Sequence, residues 1–182
     1  MNSLLKKIVT TIFISGCITA AHADDVCKMT PGTTTCGSGV VNSLSGNGMV
    51  EVNGTAVIGA TTINGLLNAS DAKFSSLDVN GSVNLMQCTI TGSSEIKGSL
   101  VASSTKFENK LDVYSEITRF VNSKINGDLH LRHTDSFKQV VYLDNFSEVS
   151  GNIIFDDGDG EVIVRGSSKI SGKVVGGHAV NK

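Results

Sequence analysis

Four carboxylates crowd into the short run from Asp156 to Glu161, as Asp156, Asp157, Asp159 and Glu161 with Gly158 and Gly160 between them. Clustered carboxylate oxygens suit a hard cation such as Ca²⁺. The run lacks the full spacing of a known calcium loop, so a solvated turn between strands is the expected role. No cofactor is expected, Ca²⁺ being the one these residues could take. A second stretch, His130-Leu131-Arg132-His133 with Asp135, Lys138 and Tyr142 close behind, is the most chemically varied patch of the chain. If Leu129 and Leu131 face a core, strand alternation turns His130 and Arg132 outward. Such a mixture could hold a metal or a polar ligand, or form an ordinary polar surface, and the surface is expected.

The cysteines divide by position. Cys27 and Cys36 flank Lys-Met-Thr-Pro-Gly-Thr-Thr-Thr, and an oxidising compartment would let them pair. Closing a loop of that size is worth roughly 2.5–3 kcal/mol on the chain-entropy model. Zinc ligands at suitable spacing are missing around them. Cys88 occupies a small, repeated position and is expected to be a buried free thiol. Nucleophile triads and phosphate-cradling loops are not identifiable, because the glycines punctuate strands and never open a helix.

These residues must be held by something, and the chain writes its scaffold openly between Gly65 and Val113. Two residues past Gly65, Gly81 and Gly98 stand Leu67, Val83 and Leu100; four past stand Ala69, Leu85 and Ala102. Seven past come Ala72, Cys88 and Thr105, and nine past come Phe74, Ile90 and Phe107. A repeat of about 16–17 residues with alternation broken into short runs predicts a coiled parallel sheet, a three-sided β-solenoid. The triplets Val52-Asn53-Gly54, Ile63-Asn64-Gly65, Val79-Asn80-Gly81 and Ile125-Asn126-Gly127 supply corner residues that tolerate left-handed backbone. Antiparallel hairpins could use the same turns. They leave the recurring small and aromatic offsets unexplained, so the solenoid is the expected fold.

Abundant glycine, a single proline, no tryptophan and only 18% charged residues fit short strands and many turns better than helices. Residues 24–48, rich in Thr, Ser and Gly, read as a loop-rich N-terminal cap stapled by the disulfide, and residues 49–182 as the solenoid. After Val113 the period slips: Ser115 stands where a glycine belongs, and the stretch from Gly127 to Gly151 carries an insertion within residues 132–145.

Residues 1–23 read as a cleaved signal peptide: Lys6 and Lys7, an apolar run from Ile8 to Ala20, then Ala21-His22-Ala23 before Asp24. Ile14-Ser15-Gly16-Cys17 also resembles a lipobox, which would make Cys17 a lipidated first residue. Both readings predict export, to the periplasm, outer membrane or medium. Without Lys6 and Lys7 the remaining chain holds 13 basic against 17 acidic residues, a net charge of −4. With no basic run it makes a poor partner for nucleic acid, and a membrane contact is expected only through a lipid anchor.

The units Ile96-Lys97-Gly98-Ser99-Leu100, Ile125-Asn126-Gly127-Asp128-Leu129, Val149-Ser150-Gly151-Asn152-Ile153 and Ile170-Ser171-Gly172-Lys173-Val174 resemble those of bactofilins, polymer-forming bacterial β-helix proteins. The resemblance spans about Val52 to Val174. It implies a right-handed, three-sided parallel β-helix that associates end to end and has no enzymatic site. The export signal, the disulfide and the uneven coils depart from that family. The expected function is therefore a non-enzymatic structural or interaction protein of the cell envelope, partnered by itself or by another envelope protein. An adhesive or glycan-binding module using loop 132–145 is the alternative, and a carbohydrate-active enzyme a second one.

Overall fold

The computed structural model describes residues 26–134 and 138–182. Residues 1–23, read as a signal peptide and including Cys17, and Asp135 of the candidate patch lie outside the described residues. The chain winds into a parallel β-solenoid of about nine turns. In the early windings the first two sides are one ten-residue strand (Leu44–Asn53, Thr61–Ser70, Leu77–Met86), and from Ser94 onward each winding has three separate runs; each run stacks in parallel on its counterpart one winding earlier. The first side stacks Ser94–Lys97, Leu111–Tyr114, Leu129–Leu131, Ile153–Phe155 and Val174–Val175. The second stacks Leu100–Ser103, Ile117–Val121, Val140–Asp144, Gly160–Val164 and Gly177–Asn181. The third is a ladder of short strands from Gly39–Val41 to Lys169–Ile170.

Like lies above like because register is set by alternation: a one-residue slip would turn every inward side chain outward. Phe74 pairs with Ile90, Ile90 with Phe107 and Phe107 with Ile125, making one buried column on the third side. Phe107 also meets Phe120 of the second side edge to face, with ring centroids 6.1 Å apart. A single winding could not bury this set, so stability is shared between neighbours.

The small-residue column runs two positions before the large one and continues past Thr105 as Ser123, Ser147 and Ser168. From Thr105 to Ser147 it is a buried ladder of hydroxyls, which the half-buried Ser168 continues. The Cys88 amide donates to Thr105 Oγ1 at 3.3 Å, Thr105 to Ser123 Oγ at 3.1 Å, Ser123 to Ser147 Oγ at 3.2 Å, and Ser147 to Ser168 Oγ at 3.0 Å. At this corner the strand ladder is interrupted, and the hydroxyls accept amides that would otherwise be buried without a partner. Cys88 is a free, buried thiol, and burial pushes its pKa up.

Glycine explains the slip in the period. Gly48, Gly65, Gly81 and Gly98 stack at the corner between the first and second sides, all at positive φ. A Cβ on any of the last three would strike the carbonyl oxygen of the glycine below. In the next winding Ser115 takes this corner, its hydroxyl accepting the Ile117 amide at 3.2 Å. A second glycine stack then forms at the corner between the third and first sides, where Gly127, Gly151 and Gly172 press on one another's backbones. The apolar-Asn-Gly triplet therefore marks no single corner. The third corner uses left-handed residues of several types: Gly54, Asp71, Gln87, Ser104 and Asn122.

Two expected boundaries move. Thr33–Cys36 already pairs in parallel with Leu44–Asn53, and Gly39–Val41 with Thr55–Val57. The winding thus reaches back into the stretch 24–48 read as loop, because Thr34 and Cys36 serve as inward residues. What caps it is a short antiparallel strand, Cys27–Thr30, turned by Pro31-Gly32 and tied across by the Cys27–Cys36 disulfide. Val26 lies buried beneath the first winding. The insertion is also narrower than 132–145, since Val140–Asp144 is a regular strand of the second side and the extra residues lie in the corner before it.

Candidate functional site

The histidine stretch and the acidic run, separate in sequence, meet in space. His130 is the middle residue of Leu129–Leu131, where alternation buries both leucines and turns the ring outward. Asp112 holds the same position one winding below. Asp156 follows Ile153–Phe155 one winding above. The ring lies between them, with Nε2 2.5 Å from Asp156 Oδ1 and Nδ1 3.6 Å from Asp112 Oδ1. Arg132 braces the same pair: its Nε donates to Asp112 Oδ1 at 2.7 Å and Nη1 lies 3.6 Å from Asp156 Oδ2. Lys110, two residues before Asp112 in the same winding, pairs with it at 2.9 Å. The cluster spans three consecutive windings.

Asp157 and Glu161 are taken up in the same way, while Asp159 is exposed in the turn. Asp157 pairs with His133 and accepts the Thr134 amide at 3.2 Å. Glu161 pairs with Lys138 at 2.7 Å. Burial works to raise the Asp156 carboxyl, but the His130 ring and the Arg132 guanidinium outweigh it and hold the pKa below its usual range. The hydrogen bond from His133 lowers Asp157, and that from Lys138 lowers Glu161. Asp112 raises Arg132, and Glu161 raises Lys138. The four carboxylates Asp156, Asp157, Asp159 and Glu161 thus do not converge. Among the described residues no group of three or more His, Cys, Asp or Glu side chains is arranged to hold a metal ion.

Tyr142 does not belong to this patch. It sits outward on the second side, in register with Arg119 below and Ile163 above. The Arg119 and Arg165 guanidinium carbons lie 4.4 and 5.3 Å from its ring centroid. Asp144 binds the two arginines at 2.9 and 3.8 Å.

No family model, curated protein or solved structure matches this chain. The resemblance to bactofilins is carried by the quoted motifs alone.

Two residues that hold this region together went unnoticed in the sequence. Asp112 is flanked by Leu111 and Val113 as His130 is by Leu129 and Leu131, so aligning the two windings places one above the other. Gln139 carried no signal. It is buried at the foot of the insertion, where its Nε2 donates to Ser115 O at 3.1 Å and Arg132 O at 2.9 Å. Beside that foot lies a shallow depression of about 520 Å³, lined by Tyr114, Glu116, Ile117, Thr134 and the Gly98–Ser99 backbone region. A longer groove of about 570 Å³ follows the second side of the early windings, past Glu51, Asn68, Asn84, Met86 and Val101.

Proposed function

We propose that this chain is an exported, non-enzymatic structural and interaction protein of a bacterial cell envelope. What supports the reading is how its chemically capable side chains are used. His130 and Arg132 bind Asp112 and Asp156 across three windings, and on the next side Arg119 and Arg165 bind Asp144 and lie over the Tyr142 ring. Groups committed in this way stiffen a scaffold and are not gathered around an open cavity. The disulfide is compatible with an oxidising compartment. Partners would meet such a scaffold at its ends or along its flanks, whether a second copy or another envelope protein. Intact-mass analysis of the protein recovered from fractionated cells tests the proposal. The expected species comes from the envelope or medium, starts at Asp24 or at a lipidated Cys17, and has Cys27 joined to Cys36. A full-length, fully reduced chain in the cytosol, or polysaccharide turnover abolished by His130→Ala, overturns it.

The depression beside the insertion favours a second reading, glycan binding. Tyr114 gives it a partly exposed ring against which a sugar face could lie, with Glu116 and Thr134 as polar neighbours. Binding on a glycan array that is lost in Tyr114→Ala would support this reading, and binding unchanged by that substitution would remove it.

A further inference from the structure

Resting on the interaction-protein reading, we propose that the second side of the solenoid is a homodimer face, against which a second copy lies flank to flank and points the opposite way. The middle outward column of this side runs Glu51, Asn68, Asn84, Val101 and Arg119, one residue per winding. Glu51 and Arg119 therefore stand two windings from Asn84 in opposite directions, about 10 Å each way at the usual strand spacing. In the column on one flank, Met49 shares the Glu51 winding and Ile117 the Arg119 winding. In the column on the other flank, Met86 shares the winding of Asn84.

Met49, Met86, Val101 and Ile117 are all exposed. In the windings from Met49 to Ser103 this side carries Glu51 as its only charge. A sheet face with exposed apolar side chains and so little charge marks a contact surface. Glu51 is also the carboxylate of this side left unused. Asp144 and Glu161 hold cations, whereas Glu51 has no ion pair among the described residues.

Turning one copy end for end about the Asn84 winding makes the face its own complement. Glu51 then lies opposite Arg119 of the second copy, and the twofold axis repeats the pair. Arg119 gives one N–H to Asp144 at 2.9 Å and keeps others to donate. Met49 meets Ile117 of the second copy, and Met86 meets its own counterpart at the axis. Asn84 faces Asn84, two amides that each donate and accept; the bond to Asn68 Oδ1 at 2.9 Å uses only one N–H. Leu66 falls opposite Ser99 and Asn68 opposite Val101, with no charge stranded.

Charge fixes both orientation and register. Two copies pointing the same way would set Glu51 against Glu51 and Arg119 against Arg119. A slip of one winding in either direction takes Arg119 off Glu51. The groove of about 570 Å³ on this side does not include Met49 or Ile117, so a glycan strand filling it would leave both bare, whereas a second copy covers them. From Thr35 to Tyr142 the face is seven windings tall and about five residues wide, or roughly 33 by 17 Å. Both copies together bury on the order of 1,100 Å², the low end of specific interfaces, so the dimer is weak and reversible.

The test is sedimentation velocity of the full mature chain from micromolar to millimolar concentration, where a reversible monomer–dimer equilibrium is expected. Glu51→Arg should weaken the dimer at least about tenfold. Glu51 is exposed and unpaired, so this variant keeps its fold, and adding Arg119→Glu to it should restore association. Cysteine cross-linking checks the axis independently of Arg119, which also braces Asp144. Met86→Cys should yield a disulfide-linked dimer under mild oxidation, and Met49→Cys alone should not. An equal mixture of Met49→Cys and Ile117→Cys should cross-link, and the unsubstituted chain with its buried Cys88 gives the background. A monomer at every concentration, a dimer indifferent to Glu51→Arg, or Met49→Cys linking to itself as readily as Met86→Cys would each overturn the proposal. A monomeric chain found exported and oxidised loses only this face. A cytosolic, reduced chain loses the broader reading first.

Discussion

Replacing Phe107 by alanine removes a ring held in the column between Ile90 and Ile125 and packed edge to face against Phe120. The ring is 1% exposed, and its neighbours are fixed by ladder hydrogen bonds on both sides, so the site can collapse little. Phe→Ala substitutions in cores cost about 3–5 kcal/mol, and those that leave their cavity open lie in the upper half of that range. A loss of about 4–5 kcal/mol in a chain of this length lowers Tm by roughly 8–20 °C. Phe107→Leu retains most of the volume and should cost under about 1.5 kcal/mol. Chemical denaturation gives the totals, and amide exchange shows where the loss falls. Because each winding touches only its neighbours, protection should drop first in the strands around Thr89–Ile90, Lys106–Phe107 and Lys124–Ile125. A cost below about 1 kcal/mol would refute the close-packed column. A uniform loss of protection along the chain would leave the column standing but refute winding-by-winding stability.

Three further outcomes are expected. Ser123→Ala removes one oxygen yet strands the buried Thr105 amide that it accepts, and should cost about 1–3 kcal/mol in denaturant midpoint measurements. A cost near zero would mean that the hydroxyl ladder adds nothing. Asp156, Asp157 and Glu161 have lowered folded pKa values, so their contribution is complete above the unfolded carboxyl range near pH 4 and is lost as pH falls through the folded values. Stability measured from pH 7 down to 2.5 should hold to about pH 4.5 and then decline, with a shallower decline in Asp156→Asn; identical slopes in the two proteins would contradict this. Replacing both Cys27 and Cys36 by serine should cost about 2.7 kcal/mol and loosen Thr33–Asn53 in amide exchange while leaving Ile153–Val175 protected.

The solenoid was legible because Phe74, Ile90 and Phe107 recur at one offset from stacked glycines, and both features are properties of single residues repeated at a fixed period. Corners were legible only where glycine marked them. Asp71, Gln87 and Ser104 adopt left-handed backbone with no turn signature of their own, and their conformation follows from the winding on either side. The first winding hid in Thr33–Cys36 because its inward residues are a threonine and a disulfide cysteine, which composition scores as loop. The candidate patch was half legible. Alternation turned His130 and Arg132 outward correctly, but their acidic partners lie one winding away in both directions, and the insertion stretched the upper one to 26 residues from His130. Tyr142 was grouped with them by nearness in sequence, and the corner between Leu131 and Val140 sends it to another side.

The ladder hydrogen bonds all point along the long axis of the solenoid, one winding to the next. A pull applied between the two ends therefore loads them head-on, a few at a time, and the molecule should come apart as a ribbon unspools. The Cys27–Cys36 disulfide keeps the antiparallel clasp Cys27–Thr30 shut on Thr33–Cys36 under that load, so the loop it closes adds no length. The windings above it would lengthen the molecule one at a time and rewind turn by turn when the tension drops.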